Sequence, residues 1–231
     1  MKNFFYLFFL FFLTSCSVFK STKNNVAQNE YVKIETDSGT MVAKLYNKTP
    51  LTTKNFVKLV KKHFYDGLLF HRVEKEFMIQ GGDPDSRNAK PAQELGNGGL
   101  KYTIPAEFDS SIFHQKGAMA MARETNDVNP EKASSSCQFY IVEGRTFTDG
   151  EMDRIEEHFH IKIPESHREI YKTVGGAPFL DMNYTVFGQV ISGLDVIEKI
   201  ARAPKDKKDR PLHDIKMKIT LLKKNEYKKY L

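Results

Sequence analysis

The chain has 231 residues, 40% hydrophobic and 28% charged, a balance that excludes a disordered body and fits one compact domain with a leader. The formal charge of +6 invites a nucleic-acid reading. However, the lysines are scattered, and the densest run (Lys223, Lys224, Lys228, Lys229) sits in a terminal tail that reads as solvated. No stretch interleaves basic residues with stacking aromatics, so no nucleic-acid partner is expected, and two cysteines, Cys16 and Cys137, exclude a disulfide framework.

At the N-terminus, Lys2 precedes an apolar run from Phe4 to Leu13, well short of the ~20 residues of a spanning helix. Leu13-Thr14-Ser15-Cys16 follows and resembles the lipobox of bacterial lipoproteins, in which the cysteine thiol carries diacylglycerol and the leader is cut before it. The resemblance implies a signal peptide over residues 1–15, lipidation at Cys16 and a polar tether over 16–29. It also implies a bacterial cell-envelope location, anchored to the membrane by lipid and facing the periplasm. An ordinary signal peptide that leaves Cys16 as a stray thiol is the alternative.

The folded domain is expected over residues 30–231. Val32, Ile34 and Thr36 alternate with Lys33 and Glu35 as a half-buried strand does, and Asp37-Ser38-Gly39 turns the chain into Met41 to Tyr46. Phe56, Leu59, Val60 and Phe64 then share one helical face, after Pro50 and the cap candidates Thr52 and Thr53. Short apolar segments recur at Leu69–Val73, Phe77–Gln80, Gly117–Ala122, Phe139–Val142 and Thr185–Val190. A helix over Leu194–Ile200 and a strand over Ile215–Leu222 close the pattern. Many short strands with two core helices predict a mainly β protein built on a closed antiparallel barrel. Residues 145–178 interrupt this rhythm with helical spacing over Glu151–Phe159 and Pro164–Val174, read as an excursion from a loop. Its histidines His158, His160 and His167 match no zinc spacing and are expected in solvent.

The most informative run is Phe70-His71-Arg72-Val73 followed by Phe77-Met78-Ile79-Gln80-Gly81-Gly82-Asp83. Together with Tyr102 to Phe108, Gly117 to Ala122, Cys137 to Ile141, Phe179-Leu180-Asp181 and Val186 to Val190, it resembles the cyclophilin family of peptidyl-prolyl cis–trans isomerases. The resemblance spans Tyr31 to Leu222 and implies an eight-stranded barrel capped by two helices, with a peptide groove on its outer face. It implies Arg72 and Gln80 as catalytic residues, the arginine donating toward the prolyl nitrogen and the glutamine holding it. Phe77, Met78, Tyr140 and Leu180 would form the proline pocket; Ala122, Arg123 and Gln138 would line the backbone path, the main chain at Arg123 gripping the residue before proline. Phe179 stands where the family usually has tryptophan, which implies weak cyclosporin binding, and Tyr184 stands where a groove histidine is common. The expected partners are proline-containing polypeptides, and a monomer is expected.

That chemistry needs no cofactor and no metal, because no bond is broken. Rotation about a peptide bond is opposed by ~18–20 kcal/mol of resonance, and a twisted X–Pro amide regains a nitrogen lone pair that a permanent cation can meet. Three readings remain open at this point: isomerisation of X–Pro bonds in exported or envelope proteins, assisting their folding; a non-catalytic proline-peptide-binding or chaperone-like envelope lipoprotein; or a structural envelope lipoprotein, which the intact site disfavours. His71 is read as structural and Cys137 as a buried small apolar residue.

Overall fold

A computed structural model describes Met1, residues 29–91 and residues 93–231. The expected leader after Met1, the lipidation site Cys16 and all of the tether except Asn29 lie outside the described residues.

In chain order, strands β1 (Tyr31–Thr36) and β2 (Gly39–Leu45) form the predicted hairpin. Helix α1 (Pro50–Lys61) follows, then β3 (Phe70–Glu74), β4 (Met78–Gly81) and β5 (Thr103–Ile104). Strands β6 (Ala118–Met121), β7 (Ser134–Ser135) and β8 (Phe139–Val142) precede helices α2 (Asp149–Phe159) and α3 (Glu165–Thr173). Strand β9 (Val186–Ser192), helix α4 (Leu194–Ala201), β10 (Met217–Leu221) and the short α5 (Lys224–Tyr227) complete the chain.

Eight strands form one antiparallel sheet in the order β10-β1-β2-β9-β6-β8-β4-β3. The expected barrel does not close as a continuous ladder. The sheet is curled, and its edge strands meet at a single isolated bridge, Leu69 with Lys216, supported by Phe70 N–H donating to the Ile215 carbonyl at 2.9 Å. The register of β3 on β4 shifts between Phe70 and Arg72, so the residue that reaches β10 lies just before β3 begins. A half-barrel results.

The hollow of the curl is filled by the first core cluster. Phe56 of α1 meets Phe139 edge-on at 5.4 Å and tilts against Phe187 at 4.9 Å, while Val196, Ile197 and Ile200 of α4 join the same cluster. Each of these aromatics is fully buried, the arrangement that the periodicities of α1 and α4 foretell.

Neither Thr52 nor Thr53 caps α1: both lie inside the helix. The capping position is Thr49, which makes no side-chain cap, and the carboxylate of Glu107, over fifty residues away in sequence, accepts from the N–H groups of Leu51 (2.9 Å) and Thr52 (2.8 Å). An acid at that terminus satisfies two orphan donors and complements the helix dipole. Only the tertiary fold brings it there. The lysine-bearing tail is likewise not a plain solvated tail, since Tyr227 of α5 stacks on Tyr31 at 3.9 Å.

Residues 145–178 form the expected helical excursion. It leaves and rejoins the domain through a two-chain neck, in which Arg145 N–H donates to the Gly176 carbonyl (3.2 Å) and Gly176 N–H to that of Arg145 (2.9 Å). Thr148 and Glu151 cap α2 reciprocally, which holds the Glu151 carboxyl down to about 2, chiefly through the Thr148 N–H. Phe147, Met152, Ile163 and Tyr171 make a small core of its own, and Arg168 bridges α3 to Asp153 (2.7 Å) and Glu156 (3.2 Å) of α2. His158 and His160 are exposed as expected, but His167 is not: it is buried, its ring stacked on Phe113 at 3.7 Å. Spacing alone did not show that Phe113, far upstream, offers a flat apolar partner.

Candidate active site

Pleating puts alternate residues of a strand on opposite faces of the sheet. In β4, Ile79 enters the core while Met78 and Gln80 face outward; in β8, Phe139 and Ile141 enter while Tyr140 and Val142 face outward. Register then aligns one outward row across four strands, with Arg72 opposite Gln80, Gln80 opposite Tyr140, and Tyr140 opposite Ala120. Arg72, Gln80 and Tyr140 of this row line a pocket of about 560 Å³.

The lining is of two kinds. Phe77, Met78, Tyr140, Leu180 and Tyr184 pack as one apolar cluster that forms a recess, with Ala122 also in the lining. Arg72, Gln80, Gly96, Asn97, Lys208 and Arg210 supply the polar part. The guanidinium of Arg72 donates from Nη1 to Oε1 of Gln80 at 3.2 Å and from Nη2 to the carboxylate of Glu74. Its side chain remains 41% exposed, so the fork is held from two sides and still open to a ligand.

Gln80 is itself held. Its Nε2 donates to Oε1 of Gln138 at 3.1 Å, and Gln138 Nε2 donates to the carbonyls of Gly96 (2.8 Å) and Gly98 (2.6 Å). The same loop returns to Asp83, whose carboxylate accepts from Gly96 N–H at 2.5 Å. Gly82, at φ +93°, allows the turn into Asp83 to pass against the Cys137 carbonyl, where a side chain would collide. Arg123 is committed as well: Nε donates to the Asn183 carbonyl at 2.8 Å, and the guanidinium lies 4.6 Å over the Tyr184 ring.

His71 is buried on the pocket side of β3, and burial, reinforced by the neighbouring Arg72 cation and only partly offset by Asp83, lowers its ring to about 4. It is therefore neutral beside the guanidinium. Cys137 is fully buried, and burial pushes its thiol upward, as suits a packed apolar residue.

A sequence profile of the cyclophilin-type peptidyl-prolyl cis–trans isomerases matches residues 31–221. The chain belongs to that family. A Staphylococcus aureus (strain USA300) relative, provisionally named a peptidyl-prolyl cis–trans isomerase, is 33% identical over 195 residues, covering 83% of this chain and 92% of the relative. A Staphylococcus haemolyticus relative with the same provisional name is 32% identical over 83% of this chain and 91% of its own length. Among solved structures, a Cryptosporidium parvum cyclophilin-type isomerase superposes with a TM-score of 0.62 at 23% identity over 85% of this chain and 99% of that one, which shows the shared fold. The same protein solved in the presence of the dipeptide Ala-Pro gives a TM-score of 0.59. The activity of this cyclophilin is peptidyl-prolyl cis–trans isomerisation.

Of the residues expected in its groove, Arg72, Gln80, Phe77, Met78, Ala122, Arg123, Tyr140, Leu180 and Tyr184 are brought to one pocket. Two are not. Gln138 is 5% exposed and lies behind Gln80 rather than along the wall. Phe179 sits behind Phe77, ring to ring at 5.6 Å. Sequence reading missed Glu74, the 93–97 loop and Arg210, which anchors that loop by donating to the carbonyls of Lys90 (3.0 Å) and Gln93 (2.8 Å). The Gly96-Asn97-Gly98-Gly99 run was a usable signal for a loop in close contact; nothing local marks Arg210.

Proposed function

We propose that this cyclophilin isomerises X–Pro bonds of exported or envelope proteins and so assists their folding, with Arg72 as the residue that meets the twisted amide. One observation carries the reading: an open, doubly held guanidinium lines the same pocket as an apolar cluster of Phe77, Met78, Tyr140, Leu180 and Tyr184. The pyrrolidine would lie among Phe77, Met78, Leu180 and Tyr140, which puts the prolyl nitrogen near Arg72. As the bond twists, nitrogen pyramidalises and becomes an acceptor, so the arginine's donor bond strengthens only toward the transition state. A charge-assisted bond contributes ~1.5–3 kcal/mol, whereas a 10⁵-fold acceleration needs ~7 kcal/mol. Desolvation of the amide in the recess and clamping of the flanking chain near Ala122 and Arg123 supply the remainder. The Ala-Pro dipeptide used with the Cryptosporidium relative is a ligand of the kind this pocket would take.

The cellular setting in this reading rests on the sequence from Lys2 to Cys16: lipidation of Cys16 would tether the domain to the bacterial envelope, facing the periplasm. A non-catalytic binder would have no use for a guanidinium held as Arg72 is, and the isomerase reading is therefore favoured. The test is an isomerisation assay on a proline peptide. Wild type should accelerate exchange, and Arg72→Ala should lose 10²-fold or more (about 2.7 kcal/mol) with an unchanged melting curve. Equal rates would refute the assignment. For the anchor, Cys16→Ala should abolish fatty-acid labelling; a mutant labelled like wild type would overturn it.

A further inference from the structure

A buried line of polar atoms joins the helical insertion to the groove. Tyr171 of α3 donates its hydroxyl to Oδ2 of Asp181 at 2.7 Å. Oδ1 of Asp181 accepts from the main-chain N–H of His114 at 2.9 Å and faces Nδ1 of the same ring at 2.8 Å. Nε2 of His114 meets the Tyr140 hydroxyl at 2.9 Å. The His114 ring thus bridges the Tyr140 hydroxyl and the Asp181 carboxylate, and Tyr171 donates to that carboxylate from the other side. His114 and Tyr171 are fully buried, and burial keeps both phenols protonated well beyond the ordinary tyrosine range.

A second, apolar line runs beside it. Phe159, at the end of α2, lies 6.2 Å from Phe179, which lies 5.6 Å from Phe77. Both lines begin in the insertion and end on walls of the apolar recess, although no residue of 145–178 lines the pocket itself. An insertion that only decorated the fold would be secured by packing its small apolar core against Phe113 and Phe179. A phenylalanine at position 171 would then serve as well, without a polar chain that must be satisfied at every member.

We propose that Tyr171 is a positioning residue: through Asp181 and His114 it sets the ring of Tyr140 as a wall of the proline recess. The insertion thereby governs capture of the prolyl residue, while rotation stays with Arg72. This rests on the reading of the recess as a proline pocket. Loosening that wall removes binding shared by ground and transition states, which raises KM and leaves kcat in place.

The experiment uses the full-length protein with an Ala-Pro-containing peptide and compares wild type, Tyr171→Phe, Tyr140→Phe and the double variant. Expected are a KM about 5-fold higher for Tyr171→Phe with kcat within 2-fold, a similar change for Tyr140→Phe, and a double variant no worse than the poorer single one. An unchanged KM in Tyr171→Phe, or effects that multiply in the double variant, would overturn the proposal whatever the melting temperatures do. If Tyr171→Phe does not fold, Asp181→Asn, which keeps shape and weakens the acceptor, is judged by the same KM criterion. If wild type proves inactive, the isomerase reading fails by itself, and peptide Kd replaces KM in the same comparison. A wild type that neither turns over nor binds the peptide sinks both.

Discussion

Gln80 donates a 3.1 Å hydrogen bond to Gln138 while accepting one from Arg72, so the residue that holds the arginine is itself held from behind the groove wall. Gln138, in turn, is fixed by two carbonyls of the glycine-rich loop at 96–98. The orientation of the guanidinium thus depends on a loop that reaches it only through two glutamines. Gln138→Ala should lower kcat/KM about 10-fold, the worth of roughly one such bond transmitted to the transition state. An unchanged kcat/KM would show that Gln80 needs no support.

Charge alone should not suffice at position 72. Lysine presents one compact ammonium and cannot bond Gln80, Glu74 and a prolyl nitrogen in one plane. Arg72→Lys is expected to lose at least 10-fold in kcat/KM with the melting temperature unchanged. Activity near wild type would mean that field, not geometry, is what the site supplies.

The neutral His71 predicts a pH dependence of stability. Its ring titrates near 6.5 when exposed and about 4 in the fold, so the unfolded chain takes up the proton first as pH falls. The stabilisation from burying a neutral ring is complete above about pH 6.5 and is lost progressively as pH falls toward about 4. Between pH 7 and 4.5, wild type should lose about 2 kcal/mol more stability than His71→Gln in urea denaturation. Equal losses would show that the buried ring titrates normally.

Gly82 shapes the turn that leads into Asp83. With φ at +93° and the Cys137 carbonyl beside it, Gly82→Ala adds both backbone strain and a collision. The expected cost is about 2 kcal/mol or more, read as a lower urea midpoint, and activity should fall with it because Gly82 aims Asp83 at the 96–98 loop. A variant of wild-type stability would show that the loop can move aside.

What the chain by itself determined is what repeats along it. Alternation in Val32-Lys33-Ile34-Glu35, the helical face of Phe56, Leu59 and Val60, and the order of the Arg72–Asp83 motif are local facts, because side-chain periodicity follows from backbone geometry alone. What only the tertiary structure decided is which distant groups meet. Glu107 rather than Thr52 or Thr53 caps α1, Gln138 retreats behind Gln80, His167 finds Phe113, and the ladder stops short of closing between β3 and β10. Each of these outcomes rests on a partner more than thirty residues away in sequence, and no window along the chain contains both halves of such a contact.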